Sequence, residues 1–231
     1  MNHPAAQSTL LTPLTRDHAF LRREASPAYW ALAPHLISQY TDCACALASA
    51  TMVFNAMRSL DGHHRIGDVV TELRLLEAMN DDHWRTAFRP TDGDGLKLAR
   101  YAEDLPRALD LFQLTGWSVS MHRMPAADTV AAFALRKALT ALQQRADRLI
   151  IANFHLATFY GDGVDIGHYS PLAAYDADSD RILVLDVYKP DYEPSWAPLE
   201  RMMAAMSVHD DKDVPRGYIL LSRTDGNAIR P

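Results

Sequence analysis

Residues 168–188 read HYSPLAAYDADSDRILVLDVY. Two apolar runs flank a cluster of Asp and Ser, the side chains that favour a turn over a ladder. The pattern predicts strands 168–175 and 181–188 joined by a turn at 176–180. In such a hairpin the open ends meet, and His168 and Asp186 lie side by side. A carboxylate inside LVLDV has no packing reason to be there, since carboxylates are rarely buried unpaired. An imidazole beside it supplies one. The carboxylate would fix the ring's orientation and tautomer, and the ring would then be fit to move a proton.

Outward from the hairpin, LIIANF (149–154), RGYILLSR (216–223) and Trp117–Met121 also read as strands. The helical patterns lie mostly earlier: 46–60, 68–79, and 96–114, the last divided at Pro106 and capped at Gly116. A long helix is expected over 126–146, with Asp128 in its first turn, and a short one over 196–206. Segment 91–95 (TDGDG) is a turn. Helices first and strands last argue for an α+β fold rather than an alternating parallel sheet.

Cys45 stands at the head of the apolar stretch ALASATMVFNAMRSL (46–60). A thiol there meets the positive end of a helix, which favours the nucleophilic thiolate. A free cysteine is more often a small core residue, so Cys45 gains weight only from its company. Gln39 lies six positions ahead of it. In cysteine hydrolases of the papain type a Gln so placed donates an N–H toward the developing oxyanion, and the nucleophile's own N–H supplies the second donor. Such enzymes also run Cys, His, then Asn or Asp along the chain, as here.

These stretches together resemble the phytochelatin synthase family, papain-like enzymes that act on glutathione. SQYTDCACALASATMVFNAM looks like the family's nucleophile segment. GHYSPLAAYDADSDRILVLDVYKPDYEPSW looks like its His–Asp segment, and the likeness runs over roughly residues 17–206. It implies a papain-like fold, with a helical N-terminal lobe, an antiparallel C-terminal sheet and the active site between them. It implies Cys45 as nucleophile, His168 as base and acid, Asp186 as orienter and Gln39 as oxyanion donor. It also puts Asn153, Gly167, Tyr188 and Lys189 at substrate-binding positions. The chain departs from the family at Ala46, where Gly is common, and at Leu156, where Arg is frequent. Before His168 the loop is about two residues longer, and Asp191 stands where a basic residue is usual. A negative charge there weakens the hold on an anionic donor.

The bulk composition agrees with an ordinary globular protein: 231 residues, 48% hydrophobic, 23% charged. A net charge of −6 without any basic run argues against nucleic-acid or anionic-membrane partners. Two cysteines, Cys43 and Cys45, and no leader-like N-terminus predict a cytoplasmic location. Residues 1–16 read as a flexible arm, and 17–231 as a single catalytic domain. No resident cofactor or metal is expected. Asp176, Asp178 and Asp180 have the start of a calcium-loop spacing, but Arg181 and Val187 occupy the positions that need Gly and Glu. His63, His64 and His83 read as solvated.

Three functions fit these residues. The first is acyl transfer or hydrolysis through an acyl-Cys45 thioester, with glutathione or another thiol peptide as partner. The second keeps the chemistry but draws on a carrier-bound or small-molecule thioester. The third is a catalytically dead thiol- or metal-binding module, suggested by Ala46 and the Cys43/Cys45 pair. A homodimer is compatible with the resemblance.

Overall fold

The hairpin lies at the middle of a seven-stranded sheet in the computed structural model, which describes residues 11–62, 69–161 and 163–224. The strands are β1 (Thr12–Pro13), β2 (Trp117–Arg123), β3 (Arg148–His155), β4 (Gly167–Asp176), β5 (Arg181–Val184), β6 (Ser195–Pro198) and β7 (Gly217–Arg223). Their order is β1-β6-β5-β4-β3-β7-β2, and every pairing is antiparallel. The helices are α1 (Ala19–Arg23), α2 (Pro27–Leu32), α3 (Cys45–Leu60), α4 (Glu72–Met79), α5 (Asp82–Ala87), α6 (Leu98–Leu111), α7 (Thr129–Gln144), α8 (Leu156–Tyr160) and α9 (Leu199–Ser207). The α+β expectation holds.

Helix α3 is buried without a break from Cys45 to Met57. A helix apolar all round has no solvent face to present. Its four small alanines, Ala46, Ala48, Ala50 and Ala56, let neighbours approach closely. Tyr101 of α6 donates to the Ala46 carbonyl at 2.7 Å, fixing the start of α3. Asn55, also buried, bonds both the N–H and the C=O of Val70 at 2.8 Å, as a strand partner would.

Several local expectations change. Pro106 does not divide α6. It lies on the exposed face, where water can serve the Ala102 carbonyl that proline leaves without a donor. That helix ends through Gln113, at φ 59°, with Leu114 N–H bonded to the Leu109 carbonyl. Gly116 therefore caps nothing. Asp128 is the N-cap of α7, accepting from Val130 and Ala131, and is not inside the first turn. The expected helix over 196–206 begins only at Leu199, because Trp196–Pro198 pair with β5 as β6. Helices α1, α2, α5 and α8 were not anticipated. Asp81 caps α5.

The second hairpin strand stops at Val184, short of 188. A bulge between Leu172 and Ala174 breaks the register, and Asp186 sits just past the strand. Asp176 is spent on the turn, accepting from the N–H groups of Asp178 and Ser179. Of the expected arm, residues 1–10 lie outside the described residues, and Thr12–Pro13 pair with Ser195–Trp196. His63, His64 and the start of the expected helix at 68 also lie outside them. His83 is exposed on α5. Among the described residues, no helix is long and apolar enough to cross a membrane.

Candidate active site

Cys45 is the first residue of α3 and is 6% exposed. Among the described residues no side chain caps this helix, so the thiol sits among its unsatisfied first-turn N–H groups. His168 is the second residue of β4, 3% exposed, with Phe154 edge-on at 5.4 Å. Its Nε2 lies 2.9 Å from Asp186 Oδ1 and 3.1 Å from Ser170 Oγ. Cys45 lies near enough to the imidazole to help raise its pKa. With Nε2 occupied, Nδ1 is the nitrogen left to face the thiol.

Asp186 is fully buried, and both its oxygens are held. Oδ1 also accepts the Tyr188 backbone N–H at 2.7 Å, and Oδ2 accepts the Tyr160 hydroxyl at 2.6 Å. Burial raises the carboxyl pKa, but the His168 charge, the His168 and Tyr160 hydrogen bonds and the Tyr188 N–H together bring it below the usual range. For His168 burial works downward. The Asp186 charge and hydrogen bond, aided by Cys45, outweigh it and push the pKa up to about 10. The side chains thus favour an ionised Asp186 beside a protonated His168.

Gln39 is buried in the loop before α3, its backbone N–H donating to the Val187 carbonyl at 2.8 Å. That bond ties the loop to the segment carrying Asp186. Its Nε2 donates to the Thr41 carbonyl at 2.7 Å and has a second hydrogen to give. Its Oε1 is buried without a partner among the described residues. Cys43 and Cys45 are both free thiols. Cys43 Sγ bonds Thr41 Oγ1 and the Arg89 carbonyl, both at 3.2 Å, so it points beneath the 89–95 loop.

The expected substrate residues separate into two kinds. Asn153 is buried and donates to the His168 carbonyl at 3.2 Å, steadying β4. Tyr188 bridges Asp186, through its N–H, to Asp42, through its hydroxyl at 3.2 Å. Lys189 is exposed, with no ion pair among the described residues. Gly167 leaves room for Arg216, whose Nε lies 3.1 Å from where a Cβ would stand.

Three residues escaped the sequence reading: Tyr160, Ser170 and Arg216. Ser170 shares a strand face with His168, a relation that period-2 alternation could have flagged. Nothing local marks Tyr160 or Arg216. Arg216 is 8% exposed and spends Nη1 on the carbonyls of Val208 and His209. No carboxylate lies within ion-pair distance of it among the described residues. Burial lowers its pKa against the pull of Asp210, Tyr169, Asp165 and Asp211. The buried Tyr169 phenol, held well above its ordinary pKa by burial, feels the charges of both Cys45 and Arg216.

A family model described as phytochelatin synthase matches residues 17–218. Glutathione gamma-glutamylcysteinyltransferase 1 of Triticum aestivum is 35% identical over 98 residues, 42% of this chain and 19% of that protein. Its namesake from Arabidopsis thaliana is 37% identical over 75 residues, 32% of this chain and 15% of the relative. Glutathione gamma-glutamylcysteinyltransferase 3 of Lotus japonicus is 36% identical over 78 residues, 33% and 16%. The matched stretch therefore spans less than a fifth of each relative's length.

Proposed function

Since the chain belongs to the phytochelatin synthase family, we propose that it is a papain-like cysteine acyltransferase or hydrolase that cleaves the Cys–Gly bond of glutathione. The observation that carries this reading is the continuous set Asp186–His168–Cys45 at the head of a buried helix, with Gln39 alongside.

In this reading the Cys45 sulfur attacks the carbonyl carbon of the donor's Cys–Gly bond, its proton held by His168. The carbonyl electrons move to oxygen, facing the Cys45 backbone N–H and the remaining Gln39 Nε2 hydrogen. As the C–N bond breaks, His168 returns its proton to the leaving glycine amine. The γ-glutamylcysteinyl group remains as a thioester on Cys45. Water, or the amine of a second thiol peptide, then attacks with His168 as base. Arg216 is the cation we assign to the donor's α-carboxylate. It is buried, has no carboxylate partner among the described residues, and lies over Gly167, one residue from the base. It takes over the anchoring that Lys189 supplies only in part and that Asp191, being acidic, opposes.

Incubation with glutathione should add a γ-glutamylcysteinyl mass to the intact protein, abolished in Cys45→Ala. Arg216→Gln should raise KM on the order of tenfold or more and lower kcat much less. A wild type labelled by small-molecule acyl thioesters and not by glutathione would keep the chemistry and overturn the donor.

A further inference from the structure

Tyr160 is the last residue of α8, and its hydroxyl donates to Asp186 Oδ2 at 2.6 Å, the oxygen His168 does not touch. The phenol is not free to swing. Its ring stacks on Tyr192 with centroids 3.7 Å apart and planes at 9°. Gly161, at φ 77°, ends the helix directly behind it. Arg201 bonds the Phe159 carbonyl one residue earlier. At the other end of α8, His155 caps the helix and joins Asp165 through Nε2 at 2.7 Å. The hydroxyl is thus delivered to the carboxylate by a short helix fixed at both ends.

We propose that Tyr160 is a positioning residue of the reaction, holding the Asp186 carboxylate in the rotation that presents Oδ1 to His168 Nε2. This rests on the reading of Asp186 as the orienter of His168. Oδ1 has two donors, His168 Nε2 and the Tyr188 N–H, while Oδ2 has the phenol. Asp186 is fully buried, so without that phenol Oδ2 faces no water. A charged oxygen left so would be drawn to turn toward one of the donors on Oδ1, disturbing the imidazole. By sharing the carboxylate's charge, the phenol also moderates its pull on the His168 proton, keeping the imidazolium acidic enough to protonate a leaving amine.

Tyr160→Phe keeps the ring and its stack and removes only the donor. With glutathione, kcat per alkylatable Cys45 should fall roughly tenfold while KM stays put. The titration midpoint of the His168 imidazole, followed by 15N NMR without substrate, should move upward. Adding Tyr160→Phe to Asp186→Asn should cost nothing further, because the phenol acts through the carboxylate. A Tyr160→Phe enzyme with wild-type kcat per alkylatable site and an unmoved His168 midpoint overturns the proposal, whatever its Tm. If wild type forms no adduct with glutathione but the midpoint still moves, the donor assignment fails and the positioning stands.

Discussion

At Asp186 one buried charge sets the protonation of the whole site. Its partner's pKa is raised to about 10 from 6.5, so the pair stabilises the folded state fully below about 6.5 and loses that contribution as pH rises through about 10. The carboxyl itself is depressed, so its contribution is present above the ordinary carboxylate range and is lost as pH falls through its folded value. Asp186→Asn keeps the shape and removes the charge. The His168 midpoint should drop by about 1 to 3 pH units, readable by 15N NMR, and the alkaline limb of the rate profile should move down with it. A midpoint unmoved by the substitution would mean that the raised value does not come from Asp186. The place of Cys45 at a helix head and the pairing of His168 with Asp186 were legible because each stands out against its local pattern: a thiol before a buried run, a carboxylate inside an apolar one. Tyr160 and Arg216 do not stand out. Tyr160 ends α8 and Arg216 lies just before β7, and the meaning of each lies in a partner 26 residues away in one case, and across the sheet at Gly167 in the other.

Among the elements, those with long periodic runs followed the sequence, and the short ones did not. Helices α3 and α7 and strands β3, β4 and β7 declare themselves through apolar spacing. Strands β1 and β6 exist only because edge partners are available, a tertiary fact that two to four residues cannot encode. The bulge in β4 is of the same kind. It ends β5 early and brings Asp186 off the ladder, yet the carboxylate still meets His168. Strand β7 shows how tightly such elements are set. A Cβ on Gly217 would come within 2.0 Å of the His122 carbonyl and 2.9 Å of Arg123 Cα, both backbone of β2. Backbone cannot step aside as a flexible side chain can. Gly217→Ala should therefore destabilise the protein by about 1–3 kcal/mol, lowering Tm in a thermal melt. Because Arg216 adjoins it, KM for glutathione should rise as well. An unchanged melt would show that β2 yields freely.

Across the whole molecule the helical half and the sheet are stitched at the site. Tyr169 of β4 donates to the Leu96 carbonyl at 3.0 Å, and its ring meets Tyr101 edge-on at 5.1 Å. Tyr101 in turn holds the Ala46 carbonyl next to Cys45. Gln39 N–H reaches Val187, and the Tyr188 hydroxyl reaches Asp42. Both phenols, Tyr101 and Tyr169, titrate well above their ordinary value because they are buried, with Cys45 adding to the effect. A site assembled from both halves exists only while they are docked, so loss of the site and loss of the fold should be one event. In urea, the onset of rapid Cys45 alkylation should coincide with loss of far-UV ellipticity. Tyr169→Phe leaves the Leu96 carbonyl without that donor, at a cost of about 1–3 kcal/mol. Both midpoints should then shift to lower urea by the same amount. Alkylation that accelerated well before the ellipticity changed would mean that the helical half opens by itself, and that the stitching tyrosines do not couple it to the sheet.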